Sequence, residues 1–465
     1  MKYYPVAKLN EIALRIVELM PALEPFFISE DAVLENSKKL YTYIALDKYK
    51  QRQKYFVSLI RKKIGSLFSK EELEQIQIPL SGDGLKGGVV DHHGILNHPV
   101  LIGANIVPHF FRMFDRNVNG DILTFATGNV PLNDPFHRRG FMIDGRKVNL
   151  FSRADKHKIV YGLDKYDFPR KFPPNTQDLI DAIDFSSCHT LGDQITKINF
   201  YLWPLLFERS FRRKISNLIS LEYDDMVIEY LLHVLETDQG SFIYQMLFDN
   251  SFRTRLIDYF QGRTGAWDEA NNRGTHFFWG LGGKHEQLRM KLKNSKLQST
   301  DGSFEIAWNL EELTRALRYK QILPGMLLKF SLILFYMGLK PFAGYGSANY
   351  LSVLQKDFLE FLRSDFPDEV SNIRELTVNN VTSIPVLLRH RAGKIEDYFA
   401  FDIITNGGLP ESYFKTLNSV PLKYFMAVNL NRMYDYAFNL YGQGEKETVV
   451  ATEGDYERLL SKTIL

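Results

Sequence analysis

Gly82-Asp83-Gly84-Leu85-Lys86-Gly87-Gly88-Val89-Val90-Asp91-His92-His93-Gly94-Ile95-Leu96-Asn97-His98-Pro99 holds five glycines, two aspartates and three histidines around the apolar pair Val89-Val90. No other part of the chain combines backbone-permissive residues and ionisable side chains so densely. Gly87, Gly88 and Gly94 allow sharp bends. Imidazoles titrate near neutrality and ligate metals readily. We therefore read this stretch as the functional centre, a histidine-bearing turn that leads into a helix. Asn97 or His98 would cap that helix, and Pro99 suits its first turn.

Upstream, residues 1–77 read as helical. Leu9, Ile12, Leu14, Ile16, Val17 and Leu19 recur at helical spacing, and no glycine interrupts before Gly65. Ser29 or Asp31 would cap a second helix running through residues 41–63. Its Lys48, Lys50, Arg52, Lys54, Arg61, Lys62 and Lys63 read as a solvated face, since acidic residues on either side balance them.

Downstream, Pro108 is expected to kink or end the helix near His109. Asp121–Gly128 reads as a short strand, and Asn129–Gly140 as a turn-rich loop. Phe141–Phe151 reads as a hairpin closed by Asp144-Gly145. Beyond the proline-interrupted Pro169–Pro174, helices are expected over 177–183, 191–209, 214–235, 241–260, 310–322, 326–339 and 422–441. Short β segments are expected at 274–282 and 398–405. The predicted fold is α+β and helix-dominated, with a small mixed or antiparallel β core near residues 78–165. Three segments follow: a helical 1–77, a Gly/His-rich 78–168, and a mainly helical 175–465 whose loops 274–286 and 341–350 reach the site.

Composition narrows the function classes. A net charge of +2 over 465 residues gives no overall field toward nucleic acid or an anionic membrane. The single cysteine, Cys188, excludes an internal disulfide and cysteine-based zinc sites. Its neighbour His189 is adjacent in sequence, and adjacent side chains seldom form a nucleophile–base pair. The longest apolar run, Met326–Leu339, contains Lys329 and falls short of the roughly twenty residues of a membrane span. The first residues lack the continuous apolar core of a signal peptide, so a cytoplasmic protein is expected. Neither a dinucleotide fingerprint nor a phosphate-binding G-x-x-x-x-G-K-[ST] loop occurs; Gly280–Lys284 runs into His285 instead of a hydroxyl residue.

The candidate chemistry therefore centres on Asp91–His98. Seven of the eleven histidines lie between residues 92 and 189. His92, His93 and His98 are the candidate ligands of a divalent metal, completed by His109, His137 or His285. Asp91 would join them or orient a ligating ring. His93, Asp91 and His285 are the candidate catalytic residues. Arg138 and Arg139 offer forked donors to a carboxylate or phosphate. Gly282 and Gly283 would let such a ligand approach the backbone, with Lys284 neutralising its charge.

The run V-V-D-H-H at Val89–His93 resembles the strand-ending signature of the DHH phosphoesterase family. The resemblance implies a divalent metal held by Asp91, His92 and His93. Gly280–His285 is similar to that family's glycine-rich substrate-binding motif. The likeness covers five residues, and the segment upstream reads as helix where the family has aspartate-bearing strands, so the chain is not assigned to it. The sequence predicts an enzyme acting on a small anionic molecule by metal-assisted hydrolysis or group transfer. The alternatives are a metal-free transferase or lyase with His92 or His93 as general base, and a non-catalytic helical binding protein. The expected partner is a small molecule, with no membrane and no nucleic acid.

Overall fold

The computed structural model describes the chain apart from residues 1, 43–44, 78–83, 115–120, 138, 211, 213–214, 392–393, 444, 447–448 and 464–465, and apart from the side chains of 90, 91, 114, 394 and 460–463. Among the described residues the strands are, in chain order, β1 (Lys86–His92), β2 (Ile122–Thr127), β3 (Gly140–Ile143), β4 (Arg146–Asn149), β5 (Leu218–Glu222), β6 (Phe278–Leu281), β7 (Gln287–Lys293), β8 (Lys296–Ser299), β9 (Glu305–Ala307), β10 (Ile322–Pro324), β11 (Lys340–Phe342), β12 (Leu388–Arg391) and β13 (Lys394–Asp397). Helices outweigh them, and the fold is helix-dominated α+β. No described helix is long and apolar enough to cross a membrane.

The central sheet has the order β11-β1-β2-β5 and every pairing in it is parallel. The glycine-rich stretch read as a turn is therefore a strand in the middle of this sheet. Its glycines serve close packing: a side chain at Gly87 would stand 3.1 Å from the Phe125 ring. The helix Pro99–Phe114 then crosses from β1 to β2, as a parallel pair requires. His98 supports its start, with the Val100 N–H donating to Nδ1 at 3.2 Å. Pro108 does not end this helix. The neighbouring helix Val33–Tyr41 lies across it, and the Ser37 hydroxyl both donates to the Pro108 carbonyl (2.8 Å) and accepts from the Phe111 N–H (3.2 Å).

The strand expected at 121–128 is β2, and the expected hairpin is β3–β4. Asp144 (φ 49°) and Gly145 (φ 71°) both lie in the left-handed region, the combination a two-residue turn of matching twist needs. Several strands escape the periodicity reading, β5, β10 and β11 among them. β5 was expected to be helix, because Leu218–Glu222 is buried at every position and a parallel strand covered on both faces carries no alternation. The helix expected from 214 starts instead at Asp224, where two aspartates favour an N-terminus. β10 and β11 are three residues each, too short for a pattern; Pro341 in β11 is tolerated because β11 is an edge strand. Conversely, the β segment expected at 398–405 is the helix Ala400–Thr405. Short apolar runs do not separate the two states, and here Gly407 and Gly408, at φ 90° and 91°, follow the helix end.

A second sheet, β10-β6-β7-β8-β9, is antiparallel and holds the segment expected at 274–282. The helix Asp47–Leu67 turns Tyr49, Gln53, Phe56, Ile60 and Ile64 inward. Gln53 ties the start of β1 to the approach of β11. It accepts from the Leu85 N–H and donates to the Met337 and Gly338 carbonyls. On its basic face Lys48 and Arg52 pair with Glu369, and Lys63 with Asp193. Buried apolar side chains from Tyr3 to Leu459 join one continuous cluster around the central sheet.

Candidate functional site

Parallel strands deliver their C-terminal ends to one edge of a sheet, and ligands in such sheets bind outside that edge, where the strand order reverses. Here the chain moves from β1 to β2 and β5 on one side, then returns to β11 on the other. A cavity of about 650 Å³ opens at that edge. It is lined from the end of β1 by His92, from β2 by Thr127 and Asn129, after β5 by Tyr223, and after β11 by Gly344–Ser347. The volume suits a small-molecule ligand.

His92 and His93 are neighbours on a strand end, so their side chains leave on opposite faces. His92 faces the cavity. Its Nδ1 donates to Asp134 Oδ2 at 2.7 Å. Asp134 comes from the 129–140 loop and is buried. It also accepts from the Phe136 N–H at 2.9 Å. Burial alone would raise its pKa, but the hydrogen bond and charge of His92, the charge of His137 and the Phe136 N–H hold the carboxyl below its ordinary value. The Phe136 ring lies edge-on to both His92 and His98. His137 donates from Nε2 to the His92 carbonyl at 2.9 Å, fixing the loop against the strand.

His93 points into the protein, where its Nε2 donates to the Gly192 carbonyl at 2.9 Å. Burial drives its pKa down to about 4, against a partial upward pull from the Gly192 hydrogen bond. The ring is neutral at pH 7.

A second polar group sits on the end of β2. Lys329, only 6% exposed, lines the cavity and pairs with Asp224. It also donates to Thr127 Oγ1 at 3.0 Å. The Asp224 carboxylate accepts from Thr127 Oγ1 (3.0 Å) and from the N–H groups of Gly128 (2.7 Å) and Asn129 (3.2 Å). Burial opposes its ionisation, but Lys329 and the hydrogen bonds with the Glu222 and Thr127 side chains keep its pKa below the ordinary carboxylate value. Gln287, from β7, donates to both the carbonyl (3.0 Å) and Oδ1 (2.8 Å) of Asn129. The far wall carries Arg432 and Asp397, 3.5 Å apart, and the start of the helix Tyr345–Phe361. Tyr350, Tyr436, Phe330, Trp279 and Phe399 supply apolar surface.

The residues expected from sequence are only partly brought together. His92 and His98 reach the cavity. His93 does not, for the alternation just described. His109 is buried beside Tyr41 and Phe342. His285 sits at the β6–β7 turn with Nε2 2.6 Å from the Tyr161 carbonyl. Gly282, Gly283 and Lys284 form that same turn, where the Gly282 N–H meets the Glu286 carbonyl at 2.9 Å. The strand residues flanking the turn, Trp279 and Gln287, are the ones that line the cavity. Arg139 turns back on its own hairpin and donates to the Phe151 carbonyl at 3.2 Å. Arg138 and the Asp91 side chain lie outside the described residues. Among the described residues no three His, Cys, Asp or Glu side chains form a metal-ligand group. His92, His93 and His98 use ring nitrogens on Asp134, on the Gly192 carbonyl and on the Val100 N–H respectively. Cys188 is buried, and burial with the nearby Asp193 pushes its thiol up to about 11.

Asp134, Lys329 and Asn129 were not singled out from sequence. Lys329 had a readable signal, a lone lysine within an apolar run. Asp134 had the turn-forming N-D-P context, which points to a loop and says nothing of its partner. Compared with protein-family models the chain matches none, and a search of curated proteins finds no match.

Proposed function

We propose that this chain is an enzyme acting on a small molecule that bears a carboxylate or phosphate, by group transfer or hydrolysis, with His92 as general base. The observation that carries this reading is the His92–Asp134 hydrogen bond, 2.7 Å long, at the cavity wall. With Nδ1–H given to Asp134, a neutral His92 keeps its lone pair on Nε2. That atom can take a proton from a hydroxyl, an amine or water as the nucleophile attacks, and the Asp134 charge then stabilises the imidazolium. This follows the metal-free alternative read from the sequence, a transferase or lyase with His92 or His93 as general base, taking His92 as the base and adding hydrolysis, which the sequence reading tied to a metal. A small-molecule partner and a cytoplasmic setting belong to the same reading.

Phosphate esters, acyl phosphates and carboxylic acids with candidate acceptors, incubated with the purified protein and followed by mass spectrometry, supply the test. Turnover by the wild type that falls about a hundredfold or more in His92→Gln supports the reading. Turnover unchanged in both His92→Gln and Asp134→Asn overturns it.

A further inference from the structure

We infer that Lys329 and Asn129 form a seat for one oxyanion, a carboxylate or phosphoryl group, beside His92; the inference rests on the reading of His92 as the base of this cavity. An ammonium group buried to the extent of Lys329 is costly unless it is paired. Asp224 provides that pairing. The Asp224 carboxylate also accepts from the Thr127 hydroxyl and from the Gly128 and Asn129 N–H groups. Those three donors reach Oδ2, and Lys329 serves the other oxygen, Oδ1. An ammonium carries three hydrogens. Two of those on Lys329 go to Asp224 and Thr127 Oγ1; the third meets no oxygen or nitrogen acceptor among the described residues, only the face of the Tyr223 ring 5.0 Å away, and Lys329 lines the cavity.

Asn129 is held in the same way. Gln287 takes both its carbonyl and its Oδ1, and Asp224 takes its N–H. The two hydrogens on Nδ2 are left without an acceptor among the described residues, and Asn129 also lines the cavity. Two fixed donors, a cationic one from the helix Met326–Phe330 and a neutral one from the loop after β2, thus line the cavity beside Asp224. Fixed donors cost little reorganisation when an anion arrives. Thr127, which accepts from Lys329, is the register partner of His92. Adjacent strands lie about 4.8 Å apart, so an oxyanion on this seat holds the rest of its molecule within reach of His92.

Isothermal titration of the full chain with inorganic phosphate, and separately with acetate, tests the seat. One or other anion is expected to bind at one per chain, and the arm that responds identifies the group. Lys329→Met and Asn129→Leu are each expected to weaken that binding about tenfold or more. Because Lys329→Met leaves Asp224 unpaired, Lys329→Met/Asp224→Asn is titrated alongside it, after melting curves confirm folding. Failure of both anions to bind the wild type overturns the proposal. So does binding that persists within about twofold in Asn129→Leu and the double variant. The two readings fail separately. If His92→Gln abolishes turnover while anion binding ignores Lys329, the seat falls and the base stands. If anion binding needs Lys329 while His92→Gln turns over normally, the base falls and the seat stands.

Discussion

His92 and Thr127 stand opposite each other as register partners, each the last residue of its strand. Through them the two polar groups of the cavity meet. His92 leads to Asp134, and Thr127 leads to Lys329 and Asp224. A parallel pair places these ends side by side without any local sequence signal.

The first prediction concerns the ring state of His92. Asp134 accepts from Nδ1, so nitrogen-resolved NMR of the neutral ring in the wild type is expected to show the proton on Nδ1 and the lone pair on Nε2. In Asp134→Leu that preference is expected to disappear, because nothing then fixes the tautomer. An unchanged tautomer in this variant would remove Asp134 from the role given to it.

The second concerns pH and stability. His93 has a pKa near 6.5 in an unfolded chain and about 4 in the fold, because burial penalises its charged form. Between those values the unfolded chain binds more protons. The contribution is fully present above pH 6.5 and is lost as pH falls toward 4, to the extent of about 3 kcal/mol. His93→Gln is expected to flatten the fall of urea-unfolding free energy between pH 6.5 and 4.5 relative to wild type. A residual slope should remain, since burial also lowers His276 to about 4. Equal slopes in variant and wild type would refute the assignment.

The third concerns the buried ion pair. Lys329→Met strands the Asp224 carboxylate in the interior, a change expected to cost about 3–5 kcal/mol. The double variant Lys329→Met/Asp224→Asn should regain more than half of that loss in denaturant unfolding. If the single variant is no less stable than the double, the pair does not control stability here.

The fourth concerns the crossover helix. A methyl group at Gly103 would stand 2.0 Å from the Ile384 carbonyl oxygen, a backbone atom that cannot swing away. Alanine gains about 1 kcal/mol of helix propensity over glycine, while overpacking costs about 1–3 kcal/mol. Gly103→Ala should therefore be destabilising overall, read as a lower urea midpoint.

Local rules made several elements legible before any tertiary contact was known. The inward face of Asp47–Leu67 follows helical spacing, and Asp144-Gly145 declares its hairpin because both residues tolerate left-handed backbone. The stretch at 82–99 announced itself as the place to look, since glycine and histidine density is a compositional fact. Its state was not legible. Lys86–His92 is a strand only because β2 and β11 pair with it on either side. β5, buried at every position, has the same cause for its missing alternation.

The site divides in the same way. His92 and His98 could be named from sequence because imidazole chemistry is a property of the residue. Which ring faces the cavity depends on strand alternation once the sheet has formed, and that choice set His92 on one side and His93 on the other. Asp134 lies 42 residues from His92, and Lys329 lies 202 residues from Thr127. Spacings of that size carry no periodic signal. The sequence by itself determined the residue types available and the elements with strong local preferences. Only the tertiary structure decided which of those residues meet, because a parallel sheet gathers its strand ends from distant parts of the chain.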